Sequence, residues 1–250
     1  MDQTTLARVN VFALIRCLED LPSYDAQARE IAAGARETIQ FTVGGVGAAR
    51  LAIGEGRIEF LPGPGPKSIN LWFPKPEALN AMFAGTGNPI PLKGLTKIAY
   101  LKGPFTTLTD RLAYYLRARP ELLADEGYKA ANAALSLRAA VYALAEIGNG
   151  DRDGRLNAAR MPDGEILLAA KGGPELTIEA RGGRLECRKG PPRALRARMV
   201  FSDLAAAGAL LRGEMDSYTA IGSERLELGG FVPLLDNMNK ILGLVPRYLK

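Results

Sequence analysis

Six residues in the middle of the chain, Asn149-Gly150-Asp151-Arg152-Asp153-Gly154, carry the acidic spacing of the first half of a calcium loop. Such a loop needs a bidentate glutamate at its twelfth position, and here that position is Arg160, so the run reads as a surface turn. The chain contains no histidine. That removes Ser-His-Asp and Cys-His nucleophile pairs, the commonest general base at neutral pH, and nearly every transition-metal site outside pure thiolate or carboxylate. The two cysteines, Cys17 and Cys187, lack any paired ligand spacing and read as reduced structural thiols, which favours the cytoplasm.

Phosphate chemistry fares no better. No Gly-x-x-x-x-Gly-Lys-Ser/Thr run occurs, and Gly44-Gly45-Val46-Gly47 lacks both the third glycine and the following helix of a dinucleotide site. Carboxylate pairs such as Glu224 with Glu227, or Asp151 with Asp153, lie in charged segments where ordinary pKa values are the default. No catalytic residues, metal site or cofactor are therefore expected, and the chain reads as a non-enzyme. The densest charge feature is Arg181, Arg184, Arg188, Lys189, Arg193, Arg196 and Arg198. It can hold an anionic headgroup or membrane surface, or simply keep one sheet face wet, and Glu179 and Glu186 dilute it. No aromatic stacking residues accompany these arginines, so no nucleic acid is expected.

Composition bounds the rest. With 250 residues, 47% apolar and 24% charged, the chain can bury roughly 70–75% of its unfolded surface without staples. The net charge of +5 is far too low for a dedicated nucleic-acid binder. The opening apolar run, Val9 to Ile15, follows Arg8 and precedes Arg16, Glu19 and Asp20, so it reads as a packed helix, not a secretory core or membrane span.

What must position any site is a set of strands and helices that occurs twice. Helices are expected over Thr5–Leu21 and from Ser23 or Asp25 to about Glu37. Strands follow over 38–43, 49–53, 58–61 and 68–73, with a hairpin at Gly54-Glu55-Gly56. A helix near Glu77–Ala84, a strand near Lys97–Leu101 and a helix from Pro104 to about Arg119 complete the first half. The second half opens with a helix from Tyr128 to Ile147 closed by Gly148. An alternating segment, Leu156, Ala158, Arg160, is followed by strands over 166–170, 176–180, 184–188 and 195–201. Ser202 is expected to cap the next helix, Gly213 to end it, and a helix from Phe231 to close the chain.

The halves align at a spacing of 127 over Ile39, Phe41, Val43 and Ile166, Leu168, Ala170, and over Gly56-Arg57-Ile58-Glu59 and Gly183-Arg184-Leu185-Glu186. At 128, Leu71-Trp72-Phe73 faces Met199-Val200-Phe201, while Gly85 and Gly94 face Gly213 and Gly222. Duplication is the simplest account, against one large α+β domain, with the boundary at Arg119-Pro120: domains 1–120 and 121–250. Each half closes on an apolar helical stripe. In the first half Phe105, Leu108 and Leu112 on that helix stand opposite Trp72, Phe73, Met82 and Phe83. Methionines and aromatics can line an adaptable pocket, and a packed core has the same composition.

The pattern resembles the sterol carrier protein family. The residues that carry the resemblance are Phe201-Ser202-Asp203-Leu204, Leu210-Leu211-Arg212-Gly213, Tyr218-Thr219-Ala220-Ile221-Gly222 and Leu226-Glu227-Leu228-Gly229-Gly230. They cover about Leu156 to Val245, and the first copy, about Glu30 to Arg119, resembles the family more weakly. The resemblance implies an α+β fold of two tandem domains, each a mainly antiparallel twisted sheet packed on helices around an apolar tunnel. Its pocket-lining role would fall on Phe201, Leu211, Met215 and Tyr218, with Phe231, Leu234, Leu235 and Met238 on the closing helix. The ending Tyr248-Leu249-Lys250 is not the family's peroxisomal address, which again fits the cytoplasm.

The implied activity is carriage of a fatty acyl chain, sterol-like molecule or other lipid, and the basic run from Arg181 to Arg198 offers peripheral contact with an anionic membrane surface. The alternative is an accessory or scaffolding protein whose apolar grooves receive a partner protein or a second copy. An enzyme acting on lipid esters ranks third, because no nucleophile and base can be named.

Overall fold

The computed structural model describes residues 1–249 and divides the chain into two compact units, one from Met1 to Tyr114 and one from Tyr115 onward. In the first, Asp2 accepts the Thr5 N–H and starts helix α1 (Gln3–Val9), which continues as a π turn, Asn10–Leu14, and a 3-10 turn, Ile15–Glu19. Asp25 caps α2 (Ala26–Gly34) by accepting the Ala28 N–H at 2.7 Å. Strands β1 (Arg36–Val43), β2 (Gly47–Gly54), β3 (Arg57–Pro62) and β4 (Ile69–Phe73) follow, then α3 (Pro76–Phe83) and β5 (Ile90–Lys93). Glu55 and Gly56 both adopt positive φ, which lets the two-residue β2–β3 turn match the strands' twist. A 3-10 turn (Leu95–Lys97), α4 (Ile98–Tyr100) and a π turn (Leu101–Phe105) lead into α5 (Thr106–Leu116).

The second unit contains α6 (Glu126–Gly150), α7 (Arg152–Ala159), β6 (Gly164–Ala170), β7 (Glu175–Arg181), β8 (Arg184–Lys189) and β9 (Leu195–Phe201). It ends with α8 (Leu204–Leu211), α9 (Ser217–Gly222), β10 (Leu226–Gly230), α10 (Val232–Leu242) and α11 (Val245–Tyr248). The fold is α+β, with one five-stranded mixed sheet in each unit packed on helices.

The two sheets share one topology. Their orders are β3-β2-β1-β4-β5 and β10-β9-β6-β7-β8, so each is a three-strand meander with a fourth strand parallel to the first and a fifth on the outside. The likeness reaches individual backbone bonds. Gly44 N–H donates to Phe73 O at 2.9 Å and Lys171 N–H to Phe201 O at 3.1 Å; Gly63 N–H donates to Ala48 O at 2.8 Å and Gly190 N–H to Glu175 O at 2.9 Å. After α3 and α8 the chain turns on Gly85 and Gly213, at φ of 74° and 75°. Alternation buries Ile39, Phe41 and Val43 with Ile69, Leu71 and Phe73 in one sheet, and Ile166, Leu168 and Ala170 with Ala197, Met199 and Phe201 in the other.

Several expectations are corrected. The fifth strand of the first unit is 90–93; residues 97–101 are helical, because Gly94 at φ +88° starts a helical ramp. Its counterpart is therefore Gly230, φ +95°, and not Gly222: a Cβ on Gly94 would press on Ile69 and Ser68 at the entry to β4, and one on Gly230 on Arg196 and Ala197 at the entry to β9. Leu156, Ala158 and Arg160 belong to or cap α7, whose start is set by Asp151 accepting the Asp153 and Gly154 N–H groups. Asp203, not Ser202, caps α8 through the Ala206 N–H. Helix α2 stops at Gly34, and β1 begins at Arg36. Gly148 does not end α6, which runs on to Gly150; a Cβ there would overlap Leu185 Cδ1, so the glycine marks a close approach of helix and strand.

Candidate functional site

In the second unit, register places Leu226 of β10 beside Phe201 and Leu228 beside Met199, all on the apolar face of the sheet. Helix α10 packs against β6 and β9 and buries Leu234, Leu235, Met238 and Ile241. A Cβ on Gly164 would lie 3.1 Å from Leu234 Cδ1, which puts the helix directly over the first residue of β6. Phe201, Leu234, Leu235 and Met238 thus belong to the interior. Leu211 and Met215 are half-buried where α8 gives way to α9, with Met215 Sδ 3.9 Å from Arg225 Nη1. The other two expected residues lie outside. Tyr218 is 87% exposed in the first turn of α9, where Asp216 accepts its N–H, and Phe231 is exposed with the Arg196 guanidinium 4.5 Å above its ring.

In the first unit Phe73, Leu108 and Leu112 are buried. Phe105 is half-buried, its ring centroid 6.2 Å from that of Phe41 on the central strand. Met82 and Phe83 are half-buried on α3. Trp72 does not join them. Adjacent residues of a strand point to opposite faces, and Trp72 pairs with Thr42 and Ile90 on the face away from Phe73. That face is polar nearby: Gln40 donates to Thr42 Oγ1 at 2.8 Å, and Thr42 to Asn70 Oδ1 at 2.9 Å.

Each unit also fastens its C-terminal helical segment to the cap of its short second helix, a device that sequence reasoning did not find. In the first unit, the buried Asp25 that caps α2 accepts from Arg111 Nε of α5 at 2.7 Å. In the second, Asp151 caps α7 with one oxygen and accepts the Tyr248 hydroxyl of α11 with the other at 2.6 Å. Burial, the largest single influence, would raise the Asp151 carboxyl; the bonds from Tyr248, Gly154 and Asp153, with the field of Arg247, outweigh it and leave it below its ordinary range. The calcium-like run is used here structurally. Asn149 exchanges two hydrogen bonds with the backbone of Leu185 at 2.7 and 2.9 Å, covering part of the outer edge of β8.

A groove of about 760 Å³ opens at one end of the first sheet, lined by Glu19, Arg36, Glu37, Glu55, Arg57 and Glu59 together with Thr38 and the 52–54 and Ile58 positions. None of the expected apolar lining residues borders it. Glu37 accepts from Lys97 Nζ at 2.6 Å and Ser68 Oγ at 2.7 Å; burial pulls its pKa up, and these partners bring it below the ordinary value. Burial, and secondarily the Glu37 charge, push the Tyr100 phenol up to about 12. A carboxylate held ionised and a phenol held neutral are poor proton donors and acceptors at neutral pH. Three of the seven cations of the basic run on the second sheet are matched locally: Arg181 with Glu179, Arg188 with Glu165 and Arg198 with Glu227, at 2.6–2.8 Å. Among the described residues, no group of three or more Cys, Asp or Glu side chains is placed to hold a metal ion, and no helix is long and apolar enough to cross a membrane.

Comparison with known proteins yields fold-level likenesses only. No family model matches the chain, and no curated protein matches it. Among solved structures it is similar to a protein described as UbiJ-SCP2 ubiquinone synthesis protein, with a TM-score of 0.33 and 12% identity over 42% of this chain and 94% of that one. It is also similar to the sec-alkyl sulfatase PisA1, in a double mutant (TM-score 0.27, 16% identity, 58% of this chain and 28% of that). The stereoselective inverting sec-alkylsulfatase Pisa1 from Pseudomonas sp. gives a TM-score of 0.26 and 15% identity over 60% of this chain and 29% of that. The chain spans less than a third of either sulfatase.

Proposed function

We propose that the chain binds an apolar ligand, such as a fatty acyl chain, a sterol-like molecule or another lipid, non-covalently beneath the closing helix of one or both units, and we assign it no catalytic step. The observation that carries this reading lies at the β10 edge of the second sheet. Leu226 is buried, yet Leu228, on the same apolar face and paired with Met199, is 41% exposed. The apolar interior therefore runs out to solvent there, and half-buried Leu211 and Met215 lie on the neighbouring segment that leads into α9, which itself packs on β10. Burying an alkyl chain in such a place gains about 0.8 kcal/mol per CH₂. Methionine and leucine side chains adjust to ligands of different shape, and a thioether costs little to repack.

A second reading, a scaffolding protein that receives a partner protein or a second copy, is favoured by the exposure of Tyr218 on α9 and Val232 on α10. Native mass spectrometry of the freshly purified chain, followed by organic extraction, tests the first reading. A bound lipid, lost or weakened in a Leu228→Glu variant that melts like the parent, supports it. A ligand-free chain that also fails to take up the fluorescent fatty acid cis-parinaric acid overturns it, and an empty oligomer favours the second reading.

A further inference from the structure

From Ala78 to Thr109 the chain carries Lys93, Lys97 and Lys102 and no carboxylate. Within that stretch Ile90, Leu92, Leu95 and Ile98 are each 40% to 64% exposed. Single exposed hydrophobic residues are ordinary on a protein surface, but four within nine positions make a patch. The backbone explains why they face outward. Strand β5 is an edge strand bonded only to β4, and its register slips, with Lys93 opposite Asn70 and Pro91 opposite Leu71, so Leu92 is an extra, unpaired residue. Gly94 at φ +88° then turns the chain into the helical ramp that carries Leu95 and Ile98.

The charge carried by the stretch itself has one sign. Among the described residues Lys97 has a carboxylate partner, Glu37, whereas Lys93 Nζ donates to the Lys67 carbonyl and Lys102 lies within ion-pair distance of no carboxylate. We infer that this edge, Ile90 to Lys102, docks the protein on an anionic phospholipid bilayer, with the leucines and isoleucines entering the headgroup boundary and the lysines meeting phosphate and carboxylate headgroups. Apolar side chains ringed by basic ones are the combination that anchors a soluble face to such a surface. A second copy fits less well, because a two-fold contact would set these lysines against one another without counter-charges. The equivalent edge of the second unit exposes Leu228, Phe231 and Val232 too, but its charge is mixed: Glu227 pairs with Arg198, Glu224 adjoins Arg225, and the Arg196 guanidinium is already seated over the Phe231 ring, so docking is assigned to the first unit. The inference does not require the interior to take a ligand.

The fold supplies its own reporter. Trp72, the chain's one tryptophan, pairs with Ile90 across β4 and β5. The test is sedimentation of the full chain with phosphatidylcholine vesicles and with vesicles containing phosphatidylserine, read together with Trp72 emission. The expected result is binding to the anionic vesicles, weakening with salt, and a blue shift of Trp72. Replacing Lys93→Gln and Lys102→Gln together lowers the partition coefficient about thirtyfold at low salt. Replacing Leu92→Ser and Leu95→Ser together lowers it at least about tenfold at every salt concentration, with an unchanged melting curve. Equal binding to both vesicle types, or binding that neither pair of substitutions changes, overturns the inference. So does self-association abolished by the leucine pair in a chain that ignores vesicles, which assigns the patch to a second copy. Because extraction of a cargo needs no vesicles, failure here is distinct from failure of the carrier reading.

Discussion

The Tyr248 hydroxyl donates to Asp151 Oδ2 across 2.6 Å and ties the last helix of the chain to the cap of helix α7. A hydrogen bond to a charged acceptor contributes more than a neutral one, about 1.5 kcal/mol here, because Tyr248 is buried and its partner partly so. Tyr248→Phe keeps the ring's packing and removes only the bond, so urea unfolding shows a loss of about that size. Asp151→Ala removes the cap as well and costs roughly 1 kcal/mol more. Equal losses for the two variants would mean that the cap contributes nothing beyond the bond from the hydroxyl.

Acid acts on the same group and on others, Glu165 and Asp203 among them. Glu165 is held below the ordinary carboxylate range first by the Ala194 N–H and then by Arg188, and Asp203 first by the Ala206 N–H; Asp151 is lowered as described. In the unfolded chain these groups titrate near pH 4. Their folded values are lower, so the folded state binds fewer protons in this range. The stabilisation is full above about pH 4 and is lost as pH falls through the folded values. Unfolding midpoints measured across the acid range should fall accordingly, and Tyr248→Phe should shallow that decline.

Gly148 provides a steric test. Glycine to alanine inside a helix ordinarily gains about 1 kcal/mol. Here the new methyl group would overlap Leu185 Cδ1, with Ile241 Cδ1 behind it at 3.5 Å, so overpacking outweighs that gain and leaves a net loss of about 1–2 kcal/mol. Thermal melting of Gly148→Ala should show the loss, and adding Leu185→Ala should cost less in that background than alone.

Gly85 and Gly213 test the duplication energetically. Both adopt positive φ, and nothing lies within 4 Å of where a Cβ would stand. Substitution by alanine therefore costs backbone strain alone, about 1 kcal/mol at each site. Chemical denaturation of the two single variants should give matching losses, each confined to its own unit if the units unfold separately.

The repeat was legible because it rests on local chemistry: alternating apolar residues, hairpin glycines and helix-ending glycines recur at spacings of 127 and 128. Its failures came where two local patterns compete. Ile98 and Tyr100 alternate like a strand, yet Gly94 starts a helical ramp there. Leu156 and Ala158 alternate too, and the Asp151 cap makes them helical. Of the residues expected to line a pocket, Phe201, Leu234, Leu235 and Met238 are buried, and it is their burial that periodicity makes legible. Tyr218 and Phe231 could not be placed, because whether a residue beside a turn faces in or out is decided by the neighbouring elements. The bonds joining Asp25 to Arg111 and Asp151 to Tyr248 link residues far apart in sequence and leave no local pattern to read.

Each sheet is completed by one uninterrupted stretch of chain, the first ending at Lys93 and followed by its closing helix, the second beginning at Gly164. The order of synthesis therefore matches the order in which hydrogen-bonding partners are needed. Every strand of the first sheet has emerged before α6 is made, so no edge of that sheet has to wait for the second half of the chain. Domains made in this way fold in sequence as they leave the ribosome, and the exposure of unpaired strands to neighbouring nascent chains is brief.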